Sequence, residues 1–162
     1  MKRRLEQYVV MTCSAALLLL CSGCSYLTDF VVVNASGQAV EIRYTIKKPL
    51  NPLSPTRIPV SPGVKQTSQL QQQVAWRELT TSEYKFDVEA RTVKVSLMPG
   101  QALRVAQYNL ADGSSSDTER ATLFFVEGLE VTGGNGEILL KGEQVYKSFL
   151  AESKTVYALR YR

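Results

Sequence analysis

Val40-Glu41-Ile42-Arg43-Tyr44-Thr45-Ile46-Lys47 alternates without a break. Val40, Ile42, Tyr44 and Ile46 fall on one side of an extended chain, and Glu41, Arg43, Thr45 and Lys47 fall on the other. Side chains of a strand point to opposite faces with a period of two, so the pattern describes a strand with one face on a core and one in water. A helix would scatter the same residues around its axis.

The reading extends both ways from that stretch. Before it, Phe30 to Val33 is an apolar run, joined to it by the turn-favouring residues Asn34-Ala35-Ser36-Gly37, and the pair predicts a hairpin. After it, Tyr84, Phe86 and Val88 alternate with Lys85, Asp87 and Glu89, and Val93, Val95 and Leu97 alternate with Lys94 and Ser96. Pro99-Gly100 has the residue types of a tight turn, which places Leu103 to Tyr108 to return antiparallel. Thr122 to Val126 reads as a strand, and Leu129 to Thr132 and Ile138 to Lys141 flank Gly133-Gly134-Asn135-Gly136 as a hairpin. Gln144 to Leu150 and Thr155 to Tyr161 close the series, with Tyr157, Leu159 and Tyr161 on one face. Residues 69–79 stay open. Ser68-Gln69-Leu70-Gln71 has the form of a capping box, with Leu70 and Val74 spaced for a helix, but Val74, Trp76 and the flanks suit a strand, the preferred reading. Eight or nine short strands, with turns every 8 to 12 residues or so, predict an all-β fold. It is expected to be a single antiparallel β-sandwich, immunoglobulin-like or similar.

Composition narrows the function. The 162 residues are 44% apolar and 21% charged, as in one ordinary globular domain. There is no histidine, which removes His-dependent triads and the commonest zinc ligand. Cys13, Cys21 and Cys24 are the only cysteines, so the chain after Cys24 holds no disulfide and depends on its core. Beyond Gly23 the balance is 16 Lys+Arg against 14 Asp+Glu, with no basic block of the kind that tracks nucleic acid.

Residues 1–24 differ from the rest. Lys2, Arg3 and Arg4 precede an uncharged run from Tyr8 to Leu20, the order of a secretory signal. The run is shorter than the roughly 20 residues that a membrane span requires. It ends in Leu20-Cys21-Ser22-Gly23-Cys24, which resembles the lipobox of bacterial lipoproteins, with Cys21 at the place where that family usually has an aliphatic residue. The resemblance implies cleavage between Gly23 and Cys24 and a diacylglyceryl thioether on Cys24. Ser25, by resemblance to enterobacterial lipoproteins that carry Asp there when retained in the inner membrane, implies delivery to the outer membrane in a source with two membranes. The expected organisation is a signal peptide over 1–23, a lipidated cysteine and tether over 24–28, and the sandwich over 29–162. Only Ser25, Tyr26, Leu27 and Thr28 form the tether, so the domain is expected within about 15 Å of the lipid surface.

Five other places invite a functional reading, each beside a plainer one. Pro49, Pro52 and Pro55 recur every third residue, and in a polyproline II conformation they would line one edge as a partner-binding ligand. The preferred alternative is a rigid crossover between sheets. Asp112 to Glu119 offers three carboxylates and several hydroxyls suited to Ca²⁺, but lacks EF-hand spacing and reads better as a solvated loop. Asp87 and Glu89 would project from one strand face as a carboxylate pair, yet Lys85 on that face favours a solvated surface. Trp76, beside Arg77, Tyr84 and Phe86, could form an aromatic platform and is read as core. Tyr157, Arg160, Tyr161 and Arg162 could touch lipid headgroups and are read as a final strand.

The expected protein is therefore an outer-membrane-anchored lipoprotein facing the periplasm, a non-catalytic binding or assembly accessory of the cell envelope. Its partners would be the bilayer, through acylated Cys24, and an envelope protein. No cofactor or metal is expected. The alternatives are an envelope hydrolase acting on glycan or peptide through carboxylates or a Ser-Lys dyad, and a small-ligand carrier.

Overall fold

In the computed structural model, which describes residues 26–48, 61–72, 74–110 and 117–162, the decisive stretch is a strand, Val40–Ile46. Val40, Ile42, Tyr44 and Ile46 are buried and Glu41, Arg43 and Thr45 are not. It is β2. The other strands are β1 (Tyr26–Asn34), β3 (Gly63–Gln66), β4 (Arg77–Glu78), β5 (Tyr84–Asp87), β6 (Thr92–Leu97), β7 (Gln101–Leu110), β8 (Val126–Gly133), β9 (Gly136–Lys141), β10 (Leu150–Ser153) and β11 (Val156–Tyr161). Two short helices, α1 (Asp117–Leu123) and α2 (Glu143–Lys147), interrupt them.

The strands form two sheets over a shared core: β5-β6-β2-β8-β9, and β10-β11-β1-β7-β3-β4. On the outer face of the five-stranded sheet, Arg43 lies opposite Glu130 and pairs with it at 3.3 Å, while Lys94 reaches Glu41 at 2.7 Å. These half-exposed pairs contribute under about 1 kcal/mol each and mark the solvent face. The six-stranded sheet differs because β1 is buried on both sides. Phe30 and Val32 enter the shared core, whereas Val31 and Val33 pack outward on a smaller cluster with Leu70, Ala102, Val156 and Ala158.

The all-β expectation holds, with several corrections. Among the described residues there are eleven strands, not eight or nine. Pairing is not wholly antiparallel: β1 lies parallel to β11, from Asp29 opposite Val156 to Asn34 opposite Tyr161. The β8–β9 hairpin forms as expected, with the positive φ of +116° at Gly136, after the two turn residues. The two other turn stretches are corners. β1 and β2 lie in different sheets, as do β6 and β7, so 35–39 and 98–100 carry the chain across the core rather than folding it back. Facing sheets stand about 10 Å apart, a gap that such short connections span.

Asn34, read from sequence as a turn residue, holds both corners. It is fully buried; its Nδ2 donates to the carbonyls of Gln38 (2.8 Å) and Leu97 (2.9 Å), and its Oδ1 accepts from the backbone N–H (3.0 Å) and hydroxyl (2.7 Å) of Ser36. The Asn34 carbonyl accepts from Gly100 N–H at 3.0 Å, and Gly100 sits at φ +73°, where glycine is favoured.

Thr122 and Leu123, at the end of α1, and 144–147, in α2, are helical where strands were expected. The reason is spacing on the core. Ala121 and Phe124, three apart, are buried, as are Val145, Tyr146 and Phe149. Their rings close one end of the core around Phe30, whose ring lies 4.9 to 5.8 Å from those of Tyr108, Phe124, Tyr146, Phe149 and Tyr157. Over 69–79 only Arg77–Glu78 is strand; Thr67–Gln69 forms a 3₁₀ turn that delivers Leu70 to the outer cluster. β1 starts at Tyr26, inside the stretch read as tether.

Candidate functional site

The outer face of the six-stranded sheet carries the densest polar constellation. Asp29 interrupts the outward row of β1 just before Val31 and Val33. Its Oδ2 accepts the indole N–H of Trp76 at 2.7 Å, and its Oδ1 accepts from Gln107 Nε2 at 2.8 Å, with Arg104 Nη1 at 4.0 Å. The Arg104 guanidinium lies 5.4 Å from the Trp76 ring centre and Lys65 Nζ 5.0 Å from it, both within cation–π range. Arg104 Nη2 donates to the Ser61 carbonyl at 3.3 Å, while its buried Nε has no partner. Trp76 therefore covers a small apolar cluster and is tied by its nitrogen. It belongs to the outer cluster, not to the core between the sheets.

Chemically this network is closed. Both oxygens of Asp29 are engaged, and the bonds link β1 and β7 to the segments entering β3 and β4. It fixes the exit of the proline-rich stretch at Ser61, with the Pro62 carbonyl held by Leu79 N–H at 2.9 Å. Beside it lies a shallow depression of about 290 Å³ lined by Lys65, Gln66, Gln69, Val74 and Gln101. A second, about 260 Å³, lies by β5, where Glu41 and Lys94 neutralise each other. There Glu83 closes the turn before β5: its carboxylate accepts from Thr80 N–H at 2.9 Å and from Arg77 at 2.9 and 3.0 Å, which holds it below the usual carboxylate range. Burial pushes the Tyr44 hydroxyl up, helped by Tyr84, and it pushes the Tyr108 hydroxyl up against the bond from Phe125 N–H.

The open strand edges are the other surface. β9 pairs only with β8 and presents Glu137, Leu139 and Lys141 outward, with Leu139 at 55% exposure. Such an edge offers unpaired backbone groups to an added strand.

Most residues singled out from sequence fall elsewhere. Gly23, Cys24 and Ser25, and Pro49, Pro52 and Pro55, lie outside the described residues. So does 111–116, while Asp117 and Thr118 begin α1. Asp87 ends β5 and accepts from Ala90 N–H at 2.8 Å, and Glu89 lies in the following turn, so the pair does not share a strand face. Tyr157 stacks on Phe30 at 5.2 Å, Tyr161 donates to the Gly136 carbonyl at 2.8 Å, and Arg160 pairs with Glu152 at 2.6 Å, as a closing strand requires. Sequence reading missed Asp29, Arg104 and Gln107. Charges inside otherwise apolar strands were the available signal. Among the described residues no group of three or more Cys, Asp or Glu is arranged around a metal, and no helix is long and apolar enough to cross a membrane. Comparison with family models, curated proteins and solved structures finds no match.

Proposed function

We propose that the chain is a bacterial lipoprotein acylated on Cys24, held at the outer membrane facing the periplasm, and that it is a non-catalytic binding or assembly accessory of the envelope. The observation that carries the reading is the start of β1 at Tyr26. One residue, Ser25, separates the acylated cysteine from a strand in the interior of the six-stranded sheet. At about 3.3 Å per residue the leash is roughly 7 Å, so the domain works against its own membrane. Two sheets over one core with sheet-switching corners support a sandwich of the immunoglobulin-like or a similar type. The surfaces it offers partners are the open β9 edge and the segment carrying Pro49, Pro52 and Pro55, whose exit is fixed at Ser61.

Metabolic palmitate labelling tests the anchor. Label is expected on the wild type and on C21A and lost on C24A; label surviving on C24A overturns the assignment. In-cell crosslinking with mass spectrometry then tests the role. A reproducible envelope protein lost on C24A is expected, and the same product from both forms would overturn a membrane-bound role.

A further inference from the structure

Strand β1 runs from Tyr26 at one end of the sandwich to Asn34 at the other, nine residues or about 30 Å. The elements sharing the Tyr26 end are fixed by contacts. Thr28 pairs with Tyr108, whose hydroxyl meets the Leu123 carbonyl at 3.3 Å and Phe125 N–H at 2.6 Å. Lys47 leaves β2 here, with its N–H on the Phe125 carbonyl and its Nζ on the Thr122 carbonyl, both at 2.7 Å. The last turn of α1 and the exit of β2 therefore stand beside the start of β1.

Leu27 at 58% and Leu123 at 65% exposure are left in the open at this end. Lys47 and the exposed Lys48 flank them. Among the described residues here, Glu143 pairs with Lys147 at 2.8 Å and Glu127 with Arg91 at 3.1 Å. We infer that this end is a bilayer-docking surface, with Leu27 and Leu123 entering the interfacial region and Lys47 and Lys48 meeting anionic headgroups. The inference rests on acylation of Cys24 and adds the orientation of the domain. The leash names the occupant. With about 7 Å between the acylated cysteine and Tyr26, this end cannot stand clear of the surface that holds the lipid.

Once the chain is cut before Cys24 its only cysteine carries the thioether, so an introduced thiol is unique. The processed full chain, its acyl groups verified by intact mass, carries a bimane label at L27C, L123C or M98C. Met98 lies at the opposite corner, 51% exposed. Each variant is reconstituted in phosphatidylethanolamine–phosphatidylglycerol vesicles containing spin-labelled lipid. Labels at 27 and 123 are expected to be quenched several-fold more than the label at 98. Adding K48E should reduce quenching at 123 while leaving the acyl mass and the far-ultraviolet spectrum unchanged. Equal quenching at all three positions, or none at 27 and 123 in chains of acylated mass, overturns the docking surface. Protection of 123 in cells but not in vesicles assigns this end to a protein partner and also overturns it. A mass lacking acyl groups instead removes the parent reading, before any fluorescence is read.

Discussion

Replacing Asn34 by Ala tests whether one buried amide holds the two corners together. The substitution strands the buried Leu97 carbonyl, which costs about 1–3 kcal/mol, and removes bonds to Gln38 and Ser36 worth about 0.5–1.5 kcal/mol each where water can partly replace them. The expected loss is about 3 kcal/mol against a total of roughly 5–15 kcal/mol for a domain of this kind. Urea unfolding followed by the fluorescence of Trp76, the single tryptophan, measures it, with an unchanged denaturant slope as the sign that only stability moved. N34D sharpens the test. It keeps the shape but turns an acceptor toward the carbonyls of Gln38 and Leu97, so burial and those dipoles raise the folded-state pKa of the new carboxyl. A raised pKa places its best stability at low pH, lost as pH climbs past the unfolded carboxyl value near 4. N34D should therefore be at least as unstable as N34A at pH 7 and recover on acidification. A loss under about 1 kcal/mol for N34A would refute the argument and assign the corners to apolar packing alone.

Three further outcomes follow from the core. The hydroxyl of Tyr44 is buried with no partner, so Y44F should leave stability unchanged or raise it by about 1 kcal/mol; a loss of that size in the same urea assay would mean that the hydroxyl is bonded. Because burial raises the hydroxyl pKa of Tyr44 and Tyr108, an absorbance titration of the native protein should leave these two phenols un-ionised above the ordinary phenol value of about 10 until unfolding. Their raised folded-state pKa also means that stability falls as pH climbs above about 10. A Cβ at Gly133 would lie 2.8 Å from both the Tyr161 hydroxyl and Val40 Cγ1, so G133A should cost about 1–3 kcal/mol, whereas G37A, with nothing within 4 Å, should be close to neutral by thermal melting.

What the sequence made legible was local. Alternation located β2, β5, β6 and β11, and the glycine-rich stretch before Ile138 located the β8–β9 hairpin. Which strands would be neighbours was not legible, because Asn34 to Gly37 and Pro99-Gly100 have the same residue types whether a chain folds back in one sheet or crosses to the other. The difference lies in a bond from Asn34 to Leu97, residues far apart in sequence. The helices were missed for a related reason. Thr122 to Val126 and Gln144 to Leu150 hold β-favouring residues, and only the position of Phe30 makes the spacing of Ala121 with Phe124, and of Val145 and Tyr146 with Phe149, decisive. Propensity over five to seven residues is too weak to oppose that packing. At the outer face, the apolar run from Phe30 to Val33 marked a strand but not that both its sides would be covered. Asp29 and Arg104 consequently gave no sign from sequence of the network around Trp76.

The parallel contact between β1 and β11 ties the order of synthesis to the order of folding. Asp29 and Val156 are partners across more than a hundred intervening residues, and Val31 and Val33 find part of their cover on Val156 and Ala158. A chain emerging N-terminus first carries β1 with one side unsheltered until β11 arrives, so the last steps of closure are non-local and slow by contact-order reasoning. During that interval the bare edge of β1 is a template for pairing with other chains. Loss of β11 would leave that exposure permanent, and truncation before Val156 should shift the product from folded domain to aggregate.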